Sequence, residues 1–346
     1  MKPEERTVRN TIIRYRSFRY ALVLEGIAVG AISGAVVVAF RYLIGCTDTL
    51  LHRILAYGQA NHWFIPVWFA ILAVAALIVT LLLKWDPLIS GSGIPQIEGE
   101  IMGELDQRWW RVLAAKLGGG ILSLGCGLSL GREGPSIQLG AMAAKGFSRL
   151  TKRVKTEEKV LITCGASAGL SAAFNAPIAG ILFSLEEVHK HISPELVLSS
   201  MAASITSDFV SRNVFGLKPV FTFHITHMMP LSTYGHVLIL GALIGLMGVL
   251  YNTCIGKSQD LYGMIPRQFV RILIPFLLAG AFGFLYPAVL GGGHSLVEEL
   301  TAGELMLGGL FLLFALKFAF SMISFGSGAP GGIFLPLLVL GAIIGS

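Results

Sequence analysis

From Phe64 to Leu83 the chain carries no charged residue. A helix needs ~20 apolar residues to cross the hydrocarbon core of a bilayer, so this stretch constrains the fold more than any other feature. It is not isolated. Further apolar runs lie at Tyr20–Gly45, Val112–Leu130, Pro194–Val214, Tyr234–Cys254, Phe269–Leu290, Glu304–Phe325 and Gly332–Ile344. Over all 346 residues, 54% are hydrophobic and 13% charged, the latter about half the share usual in soluble domains. So few charges cannot cover a soluble surface. This excludes a disordered chain, a nucleic-acid-binding domain and an ordinary soluble enzyme. What remains is a multi-span membrane protein of about eight to ten crossings, fewer if some are partial.

The net charge of +6 is concentrated. Lys2, Arg6, Arg9, Arg14, Arg16 and Arg19 crowd the N-terminus, and Lys145, Arg149, Lys152, Arg153, Lys155 and Lys159 form a second patch. Basic patches beside apolar spans read as cytoplasmic, which places residues 46–63 as an outer loop. The first apolar run begins near Tyr20, contains Glu25 and shows no small-residue cleavage site, so it reads as a retained helix and not a signal peptide. Cys46, Cys126, Cys164 and Cys254 are scattered and read as small hydrophobes. The pairs His189/His191 and His224/His227 lack companion ligands and read as surface histidines, so no metal site is expected.

Several segments are too short for a full crossing. Val160–Phe174 and Ala176–Leu185 are split by Asn175 and Pro177, and Ile94–Asp106 is brief and acidic. Irregular backbone at membrane depth is tolerated only where protein buries it or where it lines a wet cavity. Broken helices in both halves of a chain point to a transporter with a site near the midplane. Lys116 lies inside a span, where it must pair or face water, with a structural and a field-setting role equally open.

Three glycine-rich loops precede apolar segments: Gly91-Ser92-Gly93-Ile94-Pro95, Gly131-Arg132-Glu133-Gly134-Pro135 and Gly331-Gly332-Ile333-Phe334-Leu335-Pro336. Proline suits the first helical turn, and glycine lets backbone approach a ligand closely. The first N–H groups of a helix are unsatisfied and lie at its positive end, so such a start holds an anion without a full positive charge. Glu133 sits between glycines in this setting, and an intramembrane carboxylate is functional by default.

These motifs, with the flanking stretches 172–187 (AAFNAPIAGILFSLEE) and 327–332 (SGAPGG), resemble the CLC family of chloride channels and proton-coupled chloride exchangers, from about residue 20 to the end. The resemblance implies an all-α membrane protein. Its fold would be a multi-span bundle of tilted and broken helices with an inverted repeat, the first at about 20–214 and the second at about 233–346, behind a basic cytoplasmic segment at 1–19. It implies chloride and protons as transported ions, no cofactor or metal, the lipid bilayer as environment, a homodimer and no nucleic-acid partner. A bacterial inner-membrane location follows from it, with the N-terminus cytoplasmic. Residue by residue, it implies a chloride site at Ser92, Gly93, Ile94, Arg132, Glu133, Gly134, Ile333 and Phe334. Glu133 would be the gate, Glu187 the inner proton relay, and Glu186 a further point on the proton route.

Two departures qualify the resemblance. Gln96 stands where the family commonly has Glu. Family members also continue well past GGIFLP and supply a chloride-coordinating tyrosine there, so the second repeat reads as incomplete and no tyrosine here takes that role. Three other readings stay open: a passive chloride channel, a non-transporting fragment, and an intramembrane hydrolase using Glu133 and His residues.

Overall fold

The computed structural model describes residues 3–217, 230, 234–300 and 307–346, with no side-chain detail before Tyr20. The loop histidines His224 and His227 lie outside the described residues. Thirteen α-helices make up the described chain: α1 Pro3–Ala60, α2 Phe64–Trp85, α3 Ile94–Met102, α4 Trp109–Gly125, α5 Glu133–Leu150, α6 Lys155–Phe174, α7 Pro177–Phe183, α8 Pro194–Phe215, α9 Tyr234–Gly263, α10 Gln268–Leu285, α11 His294–Leu300, α12 Leu307–Gly326 and α13 Phe334–Gly345. The fold is an all-α, multi-span bundle. Among the described residues five helices are long and apolar enough to cross a membrane, namely α2, α9, α10, α12 and the Tyr20–Ala60 part of α1.

The first helix departs from expectation. Residues 46–60, read as an outer loop, continue α1. The local chemistry explains it. Thr47 and Thr49 return their hydroxyls to the carbonyls of Ile44 and Gly45 at 2.9 Å, and Leu51 and Leu55 are buried. Modest polarity does not stop a helix without a breaker, and the stop comes only at Asn61–Trp63 before α2.

The chain divides into two compact units. The first comprises Met1–Arg41, Ile94–Ala114 and Ser136–Leu217. Within it α6 packs against α7 and α8. Small residues make that contact close: Ser207 Oγ donates to Ala168 O at 2.7 Å and Ser171 Oγ to Ser204 O at 2.9 Å. On α1, Gly26, Gly30 and Gly34 lie against the α8 backbone at Ser199, Ala203 and Ser207. A Cβ on Gly30 would stand 2.8 Å from the Ala203 Cα, the close approach that small residues permit between membrane helices. Arg41 is buried, donates to Ala172 O and to Asn175 Oδ1, and lies 4.1 Å from the Phe215 ring centre. It thereby pins the left-handed Asn175 (φ 54°) that separates α6 from α7.

A buried ionic network closes the other end of this unit. Lys145 Nζ meets Glu100 Oε1 at 2.6 Å, Asp106 Oδ1 at 2.7 Å and Gln107 O at 2.6 Å. Arg149 bridges Asp106 and Glu158. Removing one partner of a buried pair strands the other charge and costs about 3–5 kcal/mol. Glu100→Gln should therefore lower the thermal stability of the detergent-solubilised chain by that order. Asp106→Asn should do far less, because Asp106 is 73% exposed and solvent screens its pairing. Hydrogen bonding from Lys145 holds the Asp106 carboxyl below its ordinary range. Its small stabilisation is thus complete above the unfolded value, ~3.9, and disappears as pH falls through the lowered folded value.

The second unit comprises Tyr42–Gly93, Ala115–Pro135 and Lys218–Ser346. Here α2 packs on α10, and α12 on α9, α10 and α13. Two stretches of this unit match at an offset of 200 or 201 residues. Each has a 3₁₀ turn, Pro87–Ile89 or Pro287–Val289, then two left-handed glycines, Gly91 (φ 63°) and Gly93 (φ 92°) or Gly291 (φ 59°) and Gly293 (φ 82°). Each has a fully buried lysine, Lys116 on α4 or Lys317 on α12.

Candidate functional site

The three glycine loops meet within the second unit. Gly131 and Gly332 form an isolated antiparallel bridge, each N–H donating to the other's carbonyl at 2.7 Å. Gly331 N donates to Gly91 O at 3.0 Å. Gly134 lies against Ser92, so that a Cβ there would stand 2.8 Å from Ser92 O. Backbone cannot yield as a flexible side chain can, which gives glycine at 134 a reason in geometry. Ser92, Gly93, Arg132, Glu133, Gly134, Ile333 and Phe334 thus belong to one knot of loops. Ile94 opens α3 in the first unit, where Glu186 and Glu187 also lie.

Glu133 begins α5 and is 3% exposed. Neither carboxylate oxygen has a hydrogen-bond partner among the described residues. The carboxylate rests against Gly131 and close to the backbone N–H of Leu335 in the first turn of α13. A buried unpaired carboxylate is expensive, and the positive end of a helix is where negative charge is best tolerated. Ile333 caps α13 with no side-chain hydrogen bond, leaving those first N–H groups to other acceptors.

Each buried lysine fastens a 3₁₀ turn, Lys116 the one that leads into the first glycine loop and Lys317 the one at Pro287–Val289. Lys116 Nζ donates to Ile89 O at 2.9 Å and Gly91 O at 2.7 Å. Lys317 Nζ donates to Val289 O at 2.9 Å, Leu290 O at 3.3 Å and Gly291 O at 2.7 Å. Neither has an acidic partner among the described residues. Lys116 is thus paired, as expected of it, and its partners are backbone carbonyls at a 3₁₀ turn. Lys317 was not anticipated as a site residue. The recurring Pro-x-[Ile/Val]-x-Gly-x-Gly pattern with a later lysine is the signal that points to it. Several helix starts around one knot of backbone give a region of positive potential.

A cavity of about 500 Å³ lies beside the knot, lined by Arg132, Asp48, His52, His294 and the Gly291–Gly293 backbone. Arg132 thus faces open space while its neighbour Glu133 is enclosed. In the first unit Glu186 and Glu187 are exposed on a π-helical turn, Ser184–His189, that follows α7. Such turns are rare and frequent at functional sites. His189 Nδ1 lies 2.8 Å from Thr163 Oγ1, and Lys190 pairs with Glu98 at 3.3 Å, anchoring the turn on both sides.

Long apolar helices, broken helices and loops buried at their junction define an integral multi-pass membrane protein. Residues 74–346 match the family model described as voltage gated chloride channel, and the chain belongs to that family. It is 40% identical over 295 residues to the H(+)/Cl(-) exchange transporter ClcA of Vibrio cholerae serotype O1, covering 82% of this chain and 63% of the relative's length. With the protein of the same name from Klebsiella pneumoniae it shares 36% over 340 residues, covering 94% of this chain and 71% of that one. Among solved structures, a slow cyanobacterial Cl−/H+ antiporter matches with a TM-score of 0.85 at 32% identity, over 92% of this chain and 76% of that one. A CLC-type fluoride/proton antiporter shares the fold, with a TM-score of 0.76 at 22% identity, over 94% of this chain and 80% of that one.

Proposed function

We propose that the protein carries chloride across a bacterial cell membrane in exchange for protons, with its basic N-terminus in the cytoplasm. The observation that carries this reading is the enclosed Glu133 carboxylate, which rests unpaired at the start of α13. An ionised carboxylate there occupies ground suited to a chloride ion, and the two exclude one another by charge. Protonation removes the charge, weakens the hold of the helix start on the side chain and admits chloride. Ser92, Gly93, Ile94, Arg132, Gly134, Ile333 and Phe334 form the chloride path in this reading. Hydrogen-bond donors without a full charge on the anion let it leave again. Glu187, with Glu186 beside it, passes protons from the cytoplasmic side, and its exposure on the π-turn gives it access to water. A homodimer is part of the same proposal, resting on resemblance.

The test is the reversal potential of the 346-residue chain reconstituted in liposomes. Coupled exchange places it away from the chloride equilibrium potential and moves it when the proton gradient changes. A value fixed at the chloride potential, whatever the pH difference, would mean a passive channel. Absence of any chloride flux from a folded, reconstituted chain would sink the transport reading.

A further inference from the structure

The π-turn Ser184–His189 buries Leu185 and Val188 and turns Glu186 and Glu187 outward. It ends at Lys190, whose backbone is left-handed (φ 56°), a conformation uncommon for a residue with a side chain. Such backbone persists where its surroundings over-determine it. Here the residues at the corner are tethered to different helices, Lys190 to Glu98 on α3 and His189 to Thr163 on α6. The tethers are unequal. The Lys190–Glu98 pair spans 3.3 Å and the Lys190 side chain is 47% exposed, so solvent screens it. His189 is half-buried and lies 2.8 Å from Thr163 Oγ1, which is inside the unit.

The direction of that second bond follows from the hydroxyl. Thr163 Oγ1 donates to Lys159 O, one turn back on α6, at 2.9 Å. A hydroxyl has one hydrogen, so toward His189 the threonine accepts and Nδ1–H donates. Burial, followed by the nearby His191 and Lys159, holds the His189 pKa below its ordinary value. Near neutral pH the ring is therefore uncharged, and the bond joins two neutral groups. We infer that His189 is a positioning residue of the inner proton relay: by donating through Nδ1 to Thr163 it fixes the turn in the orientation that presents Glu187 to cytoplasmic water. The inference rests on the reading of Glu187 as that relay. Without the bond the turn leaves this orientation more often, and one neutral hydrogen bond is worth about threefold to tenfold in such a population.

Proton and chloride fluxes of the reconstituted full chain test it. His189→Leu and Thr163→Val should each slow proton-coupled exchange about threefold to tenfold, and the double variant no further, because both remove the same bond. His189→Asn should restore the exchange rate, since its amide N–H can stand where Nδ1–H stood. Asparagine takes up no proton, so the pH profile of exchange should also stay as it was. Combined with Glu133→Gln, where chloride moves without protons, His189→Leu should not slow chloride flux, whereas general damage to the fold would. Unaltered exchange in His189→Leu, His189→Asn as impaired as His189→Leu, or an equal loss of chloride flux in the Glu133→Gln background overturns the inference. Glu187→Gln separates it from the reading beneath it. If Glu187→Gln stops proton movement and His189→Leu does not slow it, the inference alone fails. If Glu187→Gln leaves proton movement intact, the relay reading fails and the inference with it.

Discussion

Glu133→Gln should abolish proton coupling and leave chloride flux, so that the reversal potential settles at the chloride value, about 59 mV per tenfold gradient, whatever the pH. The substitution keeps the shape of the side chain and removes its charge. In the structure the carboxylate is enclosed close to the backbone N–H of Leu335 at the start of α13, and a neutral amide is held there far more weakly than an anion. A proton that can no longer be bound at position 133 can no longer be exchanged. Gly131→Ala gives an independent arm. A Cβ at 131 would overlap Glu133 Oε2, so the methyl should expel the carboxylate from its resting place while leaving it able to ionise. Chloride flux should then lose its dependence on acid, with Glu133 chemically intact. If proton coupling survived unchanged in Glu133→Gln, Glu133 would not be the gate.

How much of the fold is legible in the sequence depends on the range of the signal. Phe64–Leu83 announced α2 because a charge-free run of that length has few other uses. The break at Asn175 and Pro177 was readable because both residues act locally, one by left-handed backbone and one by a missing N–H. The glycine loops were legible as helix starts, yet nothing local says that Gly131 pairs with Gly332, a contact that only the tertiary fold creates. The mild polarity of Asp48, Arg53 and Gly58 suggests a loop, yet α1 continues through them because no proline interrupts it there. The π-turn carrying Glu186 and Glu187 has no composition of its own. The exclusion of water and acids from Lys116 is likewise a property of packing, invisible in the helix that bears it.

That packing sets up a prediction in which the two lysines answer at different loops. Lys116→Met removes the donor from Ile89 O and Gly91 O, and each stranded buried carbonyl costs about 1–3 kcal/mol. Amide hydrogen exchange at residues 88–95 should accelerate, with bromide binding at the Ser92 loop weakened at least about tenfold, since 1.4 kcal/mol is a factor of ten. Lys317→Met strips three carbonyls, Val289 O to Gly291 O, and should accelerate exchange at 288–294 instead, on the wall of the cavity that Arg132 shares. Lys116→Gln then separates holding from charge. An amide can still donate to a carbonyl but adds no field. If Lys116 only fastens the turn, Lys116→Gln should restore both the slow exchange and the bromide affinity. If its charge also draws the anion, exchange should recover while affinity stays low. The first outcome is the expected one, because the two carbonyl bonds at the turn are what Lys116 makes in the structure, and burial without an acidic partner does not favour a full charge there.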